Sequence, residues 1–234
     1  MRKVAIFDVD GTIFRSSFLI ELTERLVDEG IFDERVREKY ERQRRRWQNR
    51  EGGYEHYIDA VVEAFVRNLK GVRYVDFNRV AEAVVAEQKK HVYRYTRDNI
   101  AELIRKKYFL LAISQSPKTV LDGFCKGLGF SKVYGRLYEL GPSDCFTGKI
   151  IDEHLIANKA NIVRRAIEKE GLTLKGSIGV GDTEGDIPFL EIVEKPICFN
   201  PNATLYRHAK RLGWQVVVER KDVIYTLSSE QNNV

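Results

Sequence analysis

The chain has few of the sequence features that mark secreted or membrane proteins. Its 234 residues include three widely spaced cysteines, Cys125, Cys145 and Cys198, which show no zinc-type spacing. We therefore expect reduced thiols and a cytoplasmic location. No uncharged apolar run approaches the roughly 18 residues that a membrane-spanning helix needs. Asp8 and Asp10 interrupt the apolar stretch behind the basic N-terminus too early for a signal peptide.

Internal repeats, low-complexity linkers and clustered histidines are also missing from the sequence. Because His91 and His154 have no metal-ligand spacing, we expect them to be structural. The polar end from Ser228 onward is predicted to fray. Hydrophobic residues make up 43% of the chain and charged residues 31%, which is typical of a globular protein and not of a disordered one.

Basic residues are in excess, with a formal net charge of +5. Much of this charge lies in the segment 42–47, where four arginines precede Trp47. This pattern fits either a nucleic-acid patch or the solvated face of a helix. We favour the solvated face, because Glu34, Glu38 and Glu41 lie just upstream. An anionic substrate that enters beneath this segment would also benefit from its positive field.

The most informative positive feature is the N-terminal segment 4–12. The apolar run 4–7 predicts a buried strand, and it ends in Asp8-Val9-Asp10, followed by Gly11 and Thr12. In open α/β sheets, active sites lie at the carboxyl ends of strands. The two carboxylates would repel each other unless a cation lay between them or one kept its proton. Hard oxygen ligands favour Mg²⁺, whereas the simpler alternative is a strand that ends in an acidic turn.

Two composition regimes follow this segment. Between Ser16 and Tyr95 the apolar residues recur at helical spacing, and we see no convincing strand. We predict helices around 19–27, 36–47, 54–69 and 77–95. From Arg97 onward helix and strand patterns alternate. The fold class is therefore α/β, with a Rossmann-like, mostly parallel sheet as its core and an inserted α-helical bundle.

The predicted elements of the second regime can be placed individually. Ser116-Pro117 is predicted to begin a helix, with Ser116 as its N-cap, and Asn158 is predicted to cap the helix that ends at Gly171. The predicted strands are 108–113, 132–135, a hairpin within 136–151, 177–180, 196–199 and 215–218. The remaining predicted helices are 97–106, 186–193 and 202–212.

Further polar residues fall at strand ends or in a helix first turn. Ser114 directly follows the apolar strand 108–113, and Asp182 and Asp186 follow the strand 177–180. Lys159 lies in the first turn of its helix, where a cation interacts unfavourably with the helix dipole. It is either a surface lysine or a functional one. Four acids, one hydroxyl and one lysine are thus expected at one edge of the sheet.

These segments resemble the haloacid dehalogenase (HAD) superfamily of aspartate-nucleophile phosphohydrolases. Residues 8–12 match its first motif, Ser114 the second, Lys159 the third and residues 181–186 the fourth. The resemblance covers nearly the whole chain. A helical insertion between the first two motifs is the cap position of the phosphoserine phosphatase-like branch, subfamily IB. The resemblance implies a HAD-like core of residues 1–15 plus 97–234 and a helical cap of residues 16–96.

The resemblance also implies a role for each motif residue. Asp8 would attack phosphorus and form an aspartyl-phosphate, and Asp10 would protonate the leaving alcohol and later deprotonate water. The implied Mg²⁺ ligands are Asp8, Asp182, Asp10 through its backbone carbonyl, and Asp186, either directly or by orienting a ligand. The implied phosphate-binding residues are Ser114, Lys159, Gly11, Thr12 and Gln115.

The departures from phosphoserine phosphatases concern substrate recognition. The nearest counterpart of their amine-reading glutamate is Glu21, which lies later than expected, and their Ser-Gly is Ser114-Gln115 here. Gly185 stands where they have asparagine. We therefore expect a different or broader leaving alcohol. The cap residues predicted to reach it are Arg15, Glu21, the arginines at 42–46, Tyr54, His56 and Tyr57.

The sequence thus predicts a Mg²⁺-dependent phosphatase that acts on a small phosphorylated metabolite, as a monomer or homodimer and without a membrane partner. Two related activities stay open, namely phosphoserine phosphatase proper and transfer of the phosphoryl group to an acceptor alcohol. An alternative from another class is a nucleic-acid-binding module that uses the basic cap. The four carboxylates disfavour it, because buried acids are costly without a metal or catalytic use.

Overall fold

The computed structural model describes residues 1–151 and 158–227, so His154 and the end from Ser228 lie outside the described residues. The strands are β1 (Arg2–Phe7), β2 (Phe109–Pro117), β3 (Lys132–Leu140), β4 (Phe146–Ile151), β5 (Leu172–Gly181), β6 (Lys195–Phe199), β7 (Gln215–Arg220) and β8 (Val223–Leu227). Within the described residues these strands form one sheet in the order β4-β3-β2-β1-β5-β6-β7-β8.

The centre of the sheet is parallel, which confirms the predicted fold class. β1 pairs in parallel with β2 on one side and with β5 on the other, so that Phe7 lies opposite both Ala112 and Val180. β4 and β8 are the antiparallel outer strands. Val4 to Phe7 are fully buried, as expected for a central strand covered on both faces. The carboxyl ends of β1, β2 and β5 therefore meet at one edge.

Helices cover both faces of this sheet and fill the insertion. They are α1 (Phe18–Asp28), α2 (Glu38–Gln48), α3 (Tyr54–Leu69), α4 (Tyr74–Gln88), α5 (Arg94–Arg105), α6 (Lys118–Gly127), α7 (Lys159–Glu170), α8 (Ile187–Leu190) and α9 (Ala203–Leu212). Four consecutive helices, α1 to α4, lie between β1 and α5. None of the helices in the described ranges is both long enough and apolar enough to cross a bilayer.

The inserted helices pack directly on the sheet layer. Phe18 of α1 stacks on Phe14, with ring centroids 4.1 Å apart, and meets Phe124 of α6 edge-on at 4.7 Å. One continuous apolar cluster includes both Phe7 of β1 and Phe65 of α3. The boundaries 16 and 96 stay a prediction, because the packing itself does not separate two cores.

Several element boundaries differ from the sequence prediction. α4 ends at Gln88 and not near Tyr95, because Val92 pairs with Phe14 in an isolated antiparallel bridge. β2 continues through Pro117, and the Ser116 hydroxyl accepts the Leu19 N–H instead of capping α6. β8 was not predicted. The helix cap at Asn158 is confirmed, since its side chain accepts the Ala160 N–H.

Candidate active site

Three carboxylates converge at the carboxyl edge of the sheet. Asp8 directly follows β1, Asp182 directly follows β5, and Asp186 ends the short 3-10 turn behind it. One carboxylate oxygen from each lies within 4.8 Å of the others. Asp8 and Asp186 are buried, and Asp182 is half-buried. The parallel pairing of β1 with β5 brings together residues that are far apart in sequence.

Lys159 is the cation of this cluster. Its buried Nζ donates to Asp8 Oδ1 at 2.5 Å and to Asp186 Oδ1 at 2.6 Å. Burial disfavours the ammonium form, but Asp186 and Asp8 outweigh it and raise the pKa of Lys159. Of the two sequence interpretations, surface or functional lysine, the first does not hold. The two carboxylates also explain how a lysine persists in the first turn of α7.

The remaining charge of the cluster is negative. Burial raises the pKa of Asp8 to about 7, although the Lys159 charge opposes this. Burial and the neighbouring Asp8 also hold the pKa of Asp182 well above its usual value. Asp8 Oδ2 is buried and has no hydrogen-bond partner among the described residues. Three carboxylates that lie together, one of them with a buried oxygen that has no partner, fit a divalent cation that prefers oxygen ligands.

Neighbouring groups fix the orientation of the acids. Asp186 Oδ2 accepts the backbone N–H groups of Asp182 (2.9 Å) and Thr183 (3.1 Å), which leaves Oδ1 for Lys159. Thr12, which is fully buried, donates its hydroxyl to Asp182 Oδ1 at 3.1 Å. Gly11 has a φ of +81°, and a Cβ at this position would lie 2.2 Å from Asp182 Oδ2. Only glycine permits this approach of the first motif to Asp182.

Asp10 has a different environment from Asp8. Its Oδ1 accepts the Phe18 N–H at 2.6 Å, at the N-terminus of α1, and its Oδ2 accepts the Ser114 hydroxyl at 2.5 Å. Its side chain does not belong to the acid group around Lys159. Burial raises the pKa of Asp10 above its ordinary value, although both hydrogen bonds lower it. A positioned carboxyl group with a raised pKa is suited to proton transfer.

Ser114 and Gln115, the two candidates of the second motif, have different surroundings in the structure. The Ser114 hydroxyl lies beside Asp10 and also accepts the Ser116 N–H. Gln115 is exposed, and its side-chain carbonyl accepts a hydrogen bond from Arg136 at 3.1 Å. The side chain of Gln115 is therefore engaged with β3, and the structure does not bring it into the acid cluster.

A cavity of about 610 Å³ opens above Asp10 and Asp182 towards the inserted helices. Five of the predicted cap residues line this pocket, namely Arg15, Glu21, Arg44, Tyr54 and Tyr57. His56 is exposed on α3 and does not line this pocket, so its reach towards the leaving group stays a prediction. The other lining residues are Gly11, Ser16, Ile20, Glu24, Trp47, Gln48, Tyr93, Thr183 and Asn200.

Charged pocket residues are held by their own partners. Glu21 accepts from the Ser16 hydroxyl at 2.8 Å and from the Gln88 amide at 3.3 Å. Arg44 lies 3.5 Å from Glu41, so the basic segment partly satisfies itself, as a solvated helix face would. Trp47 stacks on Tyr57 with a centroid distance of 5.7 Å and forms an aromatic wall.

Sequence reasoning missed Glu24, Tyr93 and Asn200 as pocket residues. Asn200 had a usable signal, because it directly follows β6 at the same sheet edge as the acids. Tyr93 had none, since the apolar spacing predicts a helix up to Tyr95, about two turns beyond the end of α4 at Gln88. Glu24 lies one turn from Ile20 and Val27 in the helical pattern, and a single acid at such a position carries no local signal of a pocket.

The geometry agrees with comparisons to known proteins. Residues 5–191 match the family described as haloacid dehalogenase-like hydrolase. The chain belongs to the haloacid dehalogenase-like hydrolases. Within this family it is similar to a Neisseria meningitidis protein named histidinol-phosphatase, with 26% identity over 93% of this chain and 99% of that protein. A Streptomyces azureus protein named for inhibition of morphological differentiation is 25% identical over 92% of this chain and 78% of that one.

Solved structures share the fold. A Bordetella pertussis protein of unknown function superposes with a TM-score of 0.73 at 20% identity, over 92% of this chain and 98% of that one. A structure of phosphoserine phosphatase with an analogue of its phospho-aspartyl intermediate superposes with a TM-score of 0.62 at 18% identity, over 94% of this chain and 95% of that one. The chain is thus an enzyme of this family, placed with its phosphoric monoester hydrolases.

Proposed function

We propose that this enzyme is a Mg²⁺-dependent phosphatase that hydrolyses a small phosphomonoester through an aspartyl-phosphate on Asp8. The observation that carries the proposal is Asp8 itself. One of its oxygens is held by Lys159, and the other is buried without a hydrogen-bond partner at the sheet edge. A carboxylate oriented in this way, within 4.8 Å of the pocket-lining Asp182, is prepared for attack on phosphorus.

Asp8 and Asp10 have different roles in the reaction, Asp8 as nucleophile and Asp10 as acid and base. An Asp8 oxygen forms a bond to phosphorus while the bond from phosphorus to the leaving oxygen breaks, and protonated Asp10 gives its proton to that oxygen. Asp10, now a carboxylate, takes a proton from water as the water oxygen bonds to phosphorus and the bond from phosphorus to the Asp8 oxygen breaks. Inorganic phosphate leaves, and Asp8 is regenerated. The helix N-terminus at Phe18 and the Ser114 hydroxyl stabilise the carboxylate form of Asp10.

The other predicted site residues support this centre. The Lys159 ammonium would offset charge on the transferring phosphoryl group, together with backbone amides near Gly11 and Thr12. The single Ser114 O–H would join them while Asp10 is protonated, and it donates to Asp10 in the carboxylate form. Asp8, Asp182, Asp186 and the Asp10 carbonyl are the groups that would hold Mg²⁺. When bound, Mg²⁺ supplies charge neutralisation for the phosphoryl oxygens.

We infer that residues 16–96 act as the cap that selects the leaving alcohol, over a core of residues 1–15 and 97–234. The pocket supports a small substrate, since about 610 Å³ suits a metabolite and not a macromolecule. Relatives are named for two different phosphates, histidinol phosphate and phosphoserine. Together with the sequence departures at Glu21 and Gln115, this favours an alcohol other than serine.

The experiment measures release of inorganic phosphate from an aryl phosphate and from a panel of metabolite phosphates. We expect activity with Mg²⁺, loss of activity with a chelator, and recovery when Mg²⁺ is restored. Asp8→Asn should lower kcat about a thousandfold or more, because the nucleophile is lost. The control is Asp98→Asn, an exposed acid paired with Arg97, which should leave kcat unchanged.

Two results would contradict the proposal. One is folded wild-type protein that releases no phosphate from any ester with Mg²⁺. The other is full activity in Asp8→Asn. A new phosphoester formed when alcohols are added would instead identify a phosphotransferase, since only transfer makes that product.

A further inference from the structure

Glu219, near the end of β7, is a buried acid outside the acid cluster. Its side chain is only 3% exposed. Oε1 accepts from Arg15 Nη2 at 2.6 Å and from the Arg94 N–H at 3.2 Å, and Oε2 accepts from the Tyr95 N–H at 2.9 Å. One carboxylate thus binds residues from two distant segments. Such a fully bonded buried carboxylate is costly to lose.

The two segments that Glu219 joins are the two chain crossings between the core and the inserted helices. Residues 13–15 leave the core after the first motif, and residues 91–95 return to it. They form a short antiparallel ladder, in which the Arg15 N–H donates to the His91 carbonyl and the Tyr93 N–H to the Ile13 carbonyl. Glu219 fastens the end of this ladder to the sheet, and it also caps α5, whose N-cap Tyr93 has no capping side chain.

Arg15 connects this arrangement to the active site. Its guanidinium is held by Glu219, by the Val92 carbonyl at 3.1 Å and by the ring of Tyr93, 5.0 Å from the centroid. Arg15 also lines the active-site pocket with Asp10 and Asp182, whereas Glu219 does not. The described bonds use Nε and one Nη2 donor. A guanidinium has further N–H donors, and these remain for the pocket.

We propose that Glu219 is a positioning residue of the active site. It holds Arg15 so that the remaining N–H donors meet an anionic oxygen of the bound phosphoester. An unrestrained arginine would lose much side-chain entropy on binding substrate, and the Glu219 contact removes that loss beforehand. This inference rests on the proposed phosphatase function and adds to it the residue that sets substrate affinity from outside the pocket.

The test is a double-mutant cycle on aryl phosphate hydrolysis with Mg²⁺. Arg15→Gln and Glu219→Gln should each raise KM about tenfold while kcat stays within a few-fold, because each weakens the same charge-assisted contact. The double variant should be no worse than Arg15→Gln alone. Arg94→Gln is the matched control, since its guanidinium contacts the exposed Asp222 carbonyl and not Arg15. Its KM should be unchanged.

Additive effects in the cycle would overturn the proposal, since Glu219 would then act without Arg15. A purely structural Glu219 would lower stability and leave KM unchanged. If Glu219→Gln does not fold, Arg15→Lys decides the matter, because lysine keeps the charge but cannot hold both Glu219 and Val92. A wild-type KM in Arg15→Lys would refute positioning. Wild-type protein without phosphatase activity would refute the proposed function instead, so the two failures are distinguishable.

Discussion

At the scale of single residues, Gly11 shows how backbone geometry shapes the site. Its positive φ and its approach to Asp182 are separate constraints, and the chain permits a test that separates them. Gly30 also has a positive φ, +68°, but nothing lies within 4 Å of its missing Cβ. A substitution at Gly30 therefore meets backbone strain alone, whereas one at Gly11 meets strain and a collision with a carboxylate.

We expect Gly30→Ala to lower the free energy of unfolding by about 1 kcal/mol and to leave kcat/KM unchanged. Gly11→Ala should cost more than this and should lower kcat/KM at least about a hundredfold, because Asp182 must move. Chemical denaturation and aryl phosphate kinetics measure both quantities. Equal kinetics in the two variants would show that the Gly11 contact does not matter for the site.

Site residues could be predicted from the sequence where they directly follow a predicted strand. Asp8, Ser114 and Asp182 follow buried apolar runs, so parallel pairing alone brings them to one edge. Glu219 could not be found in this way. Its partner Arg15 is 204 residues away, and a single acid at a strand end carries no local signal. Contacts of this kind are properties of the folded chain and not of any segment.

At the scale of elements, α7 carries Lys159 into the acid cluster, and its two ends allow a matched comparison. Asn158 caps the N-terminus next to Lys159, and Gly171 ends the helix with a φ of +61°. Both caps were predicted from the sequence, since asparagine and glycine occupy the positions where such residues are favoured. The two ends contribute alike to helix stability but lie at different distances from the site.

Asn158→Ala and Gly171→Ala should each lower the free energy of unfolding by about 1 kcal/mol. Only Asn158→Ala should also lower kcat, by several-fold, because a frayed first turn loosens the hold of Lys159 on Asp8 and Asp186. Unfolding curves and steady-state kinetics of the two variants decide this. If both variants lose kcat equally, general stability of α7 controls activity and the local cap does not.

Element boundaries failed where tertiary contacts compete with periodicity. The apolar residues around Val92 continue the helical spacing of α4, yet the backbone there pairs with Phe14. β8 was not predicted because most of its residues are exposed, so its sequence lacks the alternation of apolar and polar residues that a half-buried strand shows. In both cases the deciding interaction is a backbone hydrogen bond to another segment, which side-chain patterns do not record.

At the scale of the whole molecule, the insertion and the sheet share one apolar core. Phe14 and Phe18 meet Phe124 of α6, and Phe65 of α3 lies 5.5 Å from Tyr138 of β3. The sequence indicated a change of composition near residues 16 and 96, which predicts two units. It could not show that their apolar faces meet, because amphipathic helices have the same pattern whatever they pack on.

This shared core predicts that the insertion and the sheet unfold together. The chain has two tryptophans, Trp47 in α2 and Trp214 directly before β7, so each reports on one part. Trp47→Phe leaves a probe of the sheet, and Trp214→Phe leaves a probe of the insertion. Each probe should follow the same single transition as the circular dichroism of its own variant, because removing either part would expose the apolar face of the other. A Trp47 transition that precedes loss of the sheet signal would contradict this. It would show that the helical insertion opens as an independent unit above Asp8.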